Sequence, residues 1–95
     1  MTATIALDGN TLSLAGAITG ATVAGLHAER LDLSKVTRIS LENASEVDTV
    51  GVALISQLVV RTTFDGKRPS VIGMPKGLDE LCQAYRIAPD FSDFP

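Results

Sequence analysis

Hydrophobic positions alternate with small or polar ones in the stretch "TIALDGNTLSLAG" near the start of the chain. Ile5 and Leu7 recur at a spacing of two, as do Leu12 and Leu14, which is the period of a strand burying one face. Asp8-Gly9-Asn10 separates the pairs, and Gly and Asn tolerate the positive φ of a tight turn. A hairpin is expected, with Gly16 ending its second strand. In "AITGATVAGLHAERL" the period changes. Val23, Leu26 and Leu31 suit the inner face of a short helix capped by Thr22. Gly25 weakens that helix by about 1 kcal/mol relative to Ala. Val36, Ile39 and Leu41 in "VTRISLEN" then provide a third strand.

The run "VGVALISQLVVRTTF" exceeds the length of a strand. Val50, Leu54 and Leu58 form one helical line and Val52, Ile55 and Val59 another, so the pattern predicts a largely buried helix packed on a sheet. Asp65-Gly66-Lys67-Arg68-Pro69 is expected to close it, with Gly at the stop and Pro beyond. "SVIGM" reads as a short buried strand. In "PKGLDELCQAYRI" Leu78, Leu81, Cys82 and Tyr85 follow helical spacing. The order β-β-α-β-α-β-α predicts a single α/β domain over 1–95. Its sheet is four-stranded and mixed, an N-terminal hairpin plus parallel strands, with helices packed mainly on one face. The tail "APDFSDFP" is expected to be loose.

Composition narrows the function more than the fold. The chain has 95 residues, 45% of them apolar and 20% charged, which suits one globular domain. A net charge of -3, with no run of cations interleaved with aromatics, argues against nucleic-acid binding. The single cysteine, Cys82, allows no internal disulfide, and no stretch approaches the roughly 20 apolar residues of a membrane span. The opening "MTATIALDGN" lacks the pattern of a secretory signal. A cytoplasmic protein is expected, with any membrane association made through a partner.

Catalytic chemistry is poorly supplied. His27 is the only histidine and has no motif around it; Cys82 lies on an apolar helical stripe, as a small core residue does. No phosphate-binding loop, nucleophile elbow or Cys/His metal spacing occurs. The expectation is no catalytic residue, no metal and no cofactor. What stands out is "EVDTVGVALISQLVV", where Asp48 and Thr49 precede the apolar run. Either could cap the helix, a role worth about 1 kcal/mol. Asp48 alone would suffice, which leaves Thr49 unexplained. Gly51, just inside the helix, sacrifices backbone entropy and would permit close approach of another surface.

These residues carry a resemblance. "VTRISLENASEVDTVGVALISQL" resembles the central segment of STAS domains, in which a strand leads through an Asp-Ser/Thr-x-Gly-Leu stretch into a long helix. Leu14-Ala15-Gly16-Ala17-Ile18 is similar to the stretch after that family's second strand, and with "LCQAYRIAPDF" the likeness runs over nearly the whole chain. Ser40-Leu41 departs from it, because the family commonly has an acid where Ser40 stands. Asp48-Thr49-Val50-Gly51 and the Leu-x-x-x-Tyr-x-Ile ending look most like the small STAS subunit of the Mla phospholipid-transport system.

That resemblance implies a non-catalytic cytoplasmic subunit, peripheral to the inner membrane, which binds the ATPase of an ABC transporter maintaining outer-membrane lipid asymmetry. It makes Asp48, Thr49, Val50, Gly51 and Val52 the expected partner-binding residues, with Thr49 in the phosphoacceptor-like position. The alternative branch implies an anti-sigma factor antagonist regulated by a kinase that phosphorylates Thr49.

Overall fold

Period-two alternation of buried and less buried positions holds in the N-terminal hairpin up to Leu14, except at Leu7. In the computed structural model, which describes residues 3–27, 30–88 and 91, strand β1 (Ala3–Asp8) pairs antiparallel with β2 (Thr11–Ile18). Leu12 and Leu14 of β2 are wholly buried between less buried neighbours. The short helix α1 (Val23–Leu26) follows, then β3 (Arg38–Val47), α2 (Thr49–Arg61), β4 (Ser70–Ile72) and α3 (Leu78–Ala84). β3 pairs in parallel with β2 and with β4, giving a four-stranded mixed sheet in the order β1-β2-β3-β4. The expected α/β architecture is the observed one.

One apolar cluster joins sheet and helices. Leu12, Leu14, Ile39 and Leu41 from the central strands share it with Ile55, Leu58 and Val59 of α2 and with Leu78 and Cys82 of α3. Each such side chain removed from water contributes about 1.5–3 kcal/mol, so burial of the inner line of α2 outweighs any single cap in forming that helix.

The structure corrects the sequence reading in several places: β2 runs two residues past Gly16, its expected end, to Ile18. β3 runs to Val47, beyond "VTRISLEN", and two register shifts against β2 break the alternation that would have marked its full length. Val36, placed in that strand, is buried just ahead of it. α2 stops at Arg61, well before Gly66. There the hydroxyls of Thr62 and Thr63 donate to the carbonyls of Leu58 and Val59, each at 2.7 Å, so the last turn is closed by side chains competing for its carbonyls. Asp65 and Gly66, at φ 52° and 76°, instead form the tip of a tight turn closed by Phe64 and Lys67.

Thr22 precedes α1 but makes no side-chain cap. Its hydroxyl donates to the Ala17 carbonyl at 2.6 Å and accepts from the Thr19 amide at 3.0 Å, tightening the turn that leaves β2. Leu7, beside the hairpin turn on an edge strand, and Tyr85, at the end of α3, are exposed. Leu31 lies beyond α1, which His27 terminates in the left-handed region. Ala28 and Glu29 in this stretch lie outside the described residues, as do 89–90 and 92–95 of the tail.

Phe91 departs most from expectation. Placed by sequence in a loose tail, it is 1% exposed and belongs to the main apolar cluster. An aromatic so enclosed contributes through both transfer and packing, and Phe91→Ala is expected to lower unfolding stability by about 3–5 kcal/mol. Urea denaturation followed by circular dichroism measures this; a loss below about 1 kcal/mol would place Phe91 outside the core.

Candidate docking site

The site forms where β3 leaves the sheet. Val47 pairs with Ile18, and its amide donates to the Lys76 carbonyl at 2.9 Å. The Asp48 amide donates to the Ile18 carbonyl at 3.3 Å, which ties the strand exit to the end of β2. Asp48 has extended backbone geometry and is the N-cap of α2. One carboxylate oxygen accepts from the Gly51 amide at 2.9 Å and the other accepts from the Gly20 amide at 3.0 Å. A single side chain thereby caps α2 and clamps the β2–α1 turn against it. The amides of Gly20 and then Gly51 hold the Asp48 carboxyl below its ordinary value of 3.8, because they bond to the ionised form.

Gly51 explains how α2 comes so close to the sheet. A Cβ there would run into the carbonyl oxygen of Ile18 and lie 2.8 Å from Cγ1 of Val47. Expected to let a partner approach, Gly51 is in fact buried, and the close approach it permits is internal. Val52 is buried too, 3% exposed. Neither residue offers side-chain surface at this edge, a correction to the expected set.

Thr49 and Val50 face outward. Thr49 is exposed, and its hydroxyl makes no hydrogen bond among the described residues, since Asp48 already caps the helix. Val50 is 45% exposed. From it a line of exposed residues, Ala53, Gln57 and Val60, runs along the outer flank of α2. This flank and Val23 of α1 border an open groove of about 410 Å³, its wall completed by Leu54. No charged residue occurs between Asp48 and Arg61. Sequence reasoning found the head of this surface and missed its length and the part played by Gly20. The missing charges were the available signal, because a helix flank facing water usually alternates apolar with charged positions.

Elsewhere the chemistry is sparse. Cys82 is wholly buried, and among the described residues no three His, Cys, Asp or Glu side chains gather to hold a metal ion. No helix among them is long and apolar enough to cross a membrane. Ser40, where the resembling family has an acid, is 8% exposed on β3 between Ser13 and Ile72, while Leu41 is buried and Glu42 exposed. No protein-family model matches this chain, and a search of curated proteins finds no match.

Two substitutions probe the junction. Gly51→Ala gains about 1 kcal/mol in helix propensity, but the backbone carbonyl opposite cannot yield as a flexible side chain could. A net destabilisation of about 1–3 kcal/mol is expected in chemical denaturation, and a stabilised variant would refute the tight junction. Asp48→Ala is expected to cost about 1 kcal/mol at neutral pH. Because the folded carboxyl titrates below the unfolded one, this stabilisation is complete above the ordinary value of 3.8 and is lost as pH falls through the lowered folded value. The gap between parent and variant in urea titrations should close with acidification through that window; a gap independent of pH would exclude the charged cap.

Proposed function

We propose that this chain is a non-catalytic STAS-type subunit that docks on the ATPase of an Mla-type phospholipid-transport ABC system, in the cytoplasm at the inner membrane. The observation that carries the proposal is the exposed, unbonded Thr49 hydroxyl at the head of an uncharged helix flank. An alcohol is inexpensive to desolvate when it gains one hydrogen bond, and the flank below it has no ionic side chain to strip of water. Asp48 and Gly51 act from behind this surface, fixing the direction in which Thr49 and Val50 point.

The same geometry sets the sign of any modification. Phosphate on Thr49 would bring about -1.5 to -2 charges. A helix N-terminus favours an anion by about 0.3–2 kcal/mol, but here the Asp48 carboxylate already accepts from the Gly51 amide. Two unit like charges roughly 6 Å apart cost about 0.7–3 kcal/mol between the dielectrics of water and protein surface. Glu46, two residues before Asp48, adds to the repulsion. Phosphorylation therefore opposes docking.

Native pull-down from the source cell tests the reading. The parent chain and Thr49→Ser should recover an ATPase with its permease, and Thr49→Glu should reduce that recovery at least tenfold, about 1.4 kcal/mol. A chain that emerges alone, or a Thr49→Glu variant that binds as the parent does, would sink the proposal. Recovery of a Ser/Thr kinase with a species phosphorylated at Thr49 would assign the anti-sigma factor antagonist role instead.

A further inference from the structure

The other end of α2 carries a second concavity, of about 210 Å³, between the segment that enters β3 and the turn after the helix. Lys35 and Thr37 line it on one side, Phe64, Lys67 and Arg68 on the other. Phe64 is 49% exposed, and both lysines are exposed. In a chain of net charge -3, this gathering of cations around a hollow is a local reversal of sign. We propose that this hollow binds a phosphate ester, either the headgroup of an anionic lipid or a small soluble phosphate.

The bland alternative is that these cations serve the C-terminal end of α2, whose carbonyls attract positive charge. Three of those carbonyls already accept hydrogen bonds. The Leu58 carbonyl accepts from the Thr62 amide and hydroxyl, Val59 from the Thr63 hydroxyl, and Val60 from the Thr63 amide. Nor does Lys67 have a side-chain hydrogen bond or ion pair among the described residues. Lys35 feels the Asp32 carboxylate, but one oxygen of that group accepts from the Ser34 amide at 3.0 Å. Asp65 is the acid that lines the hollow and offsets part of the positive field.

Size then narrows the ligand. The hollow is smaller than the roughly 300–1,000 Å³ usual for drug-sized ligands, so it suits a phosphoryl group rather than a whole nucleotide or an acyl chain. Phe64, projecting beside the cations, can cover the apolar side of an ester. This assignment rests on residues apart from Thr49 and stands independently of the docking proposal.

Amide spectra recorded during titration with inorganic pyrophosphate test it directly. Saturable shifts confined to residues 34–37 and 64–68 are expected, with a dissociation constant on the order of 1 mM at low salt and at least threefold weakening near physiological salt. The exposed double variant Lys35→Glu/Lys67→Glu, and the milder Lys67→Gln, should lose them while retaining dispersed spectra. Co-sedimentation with phosphatidylglycerol vesicles, absent with phosphatidylcholine and absent in the double variant, would identify a lipid headgroup. Pyrophosphate binding without vesicle binding would identify a soluble phosphate. Failure of both ligands to bind overturns the site, as do shifts reproduced by sodium chloride at equal ionic strength or shifts that persist in the folded double variant.

Discussion

The carboxylate of Asp48 is the constraint on which the candidate docking edge depends. It spends both oxygens on backbone amides, one at the start of α2 and one in the turn after β2. It therefore fixes where the helix begins and which loop lies beside it. The energies divide the labour. The cap is worth about 1 kcal/mol, whereas burial of Val52, Leu54, Ile55, Leu58 and Val59 contributes about 1.5–3 kcal/mol for each side chain. Burial makes α2 a helix packed on the sheet; Asp48 and the missing side chain of Gly51 decide its start and its closeness to Ile18. Once Asp48 has taken the capping role, the Thr49 hydroxyl has no hydrogen-bond partner among the described residues.

Much of this was legible in the sequence. Elements whose signal is regular, the hairpin and α2 above all, could be read from spacing alone. The far half of β3 is not legible from spacing, because its register shifts destroy the period of two. Gly66 has the residue type of a helix stop, but Thr62 and Thr63 end α2 first through their hydroxyls. Phe91 was invisible because a lone aromatic in an unpatterned tail has no period, and only tertiary packing makes it core.

Gly51 is the most instructive case. A glycine early in a helix marks a place of close approach, yet the sequence does not say which surface comes near. Coordinates give the answer through the Ile18 carbonyl. The same limitation applied to Val52, whose helical position turns it inward while Val50, two residues earlier, faces out. Chemistry at the candidate site was thus legible by residue type, and its direction was not.

The two ends of α2 show that neighbouring side chains, more than the helix dipole, set the local field. At the head, where a bare helix would welcome an anion, the Asp48 carboxylate is already in place and Glu46 lies close in sequence. At the foot, where a bare helix would repel one, Thr62 and Thr63 satisfy the carbonyls and Lys35 and Lys67 line the hollow beyond them. On the proposed readings, a phosphoryl group is disfavoured at the end where the dipole invites it and favoured at the end where the dipole opposes it. Dipole contributions of about 0.3–1 kcal/mol at exposed helix ends are small enough for a few placed charges to reverse. The proposed neutral contact at Thr49 and the proposed anion at the foot lie at opposite ends of one rod and would not compete for the same surface.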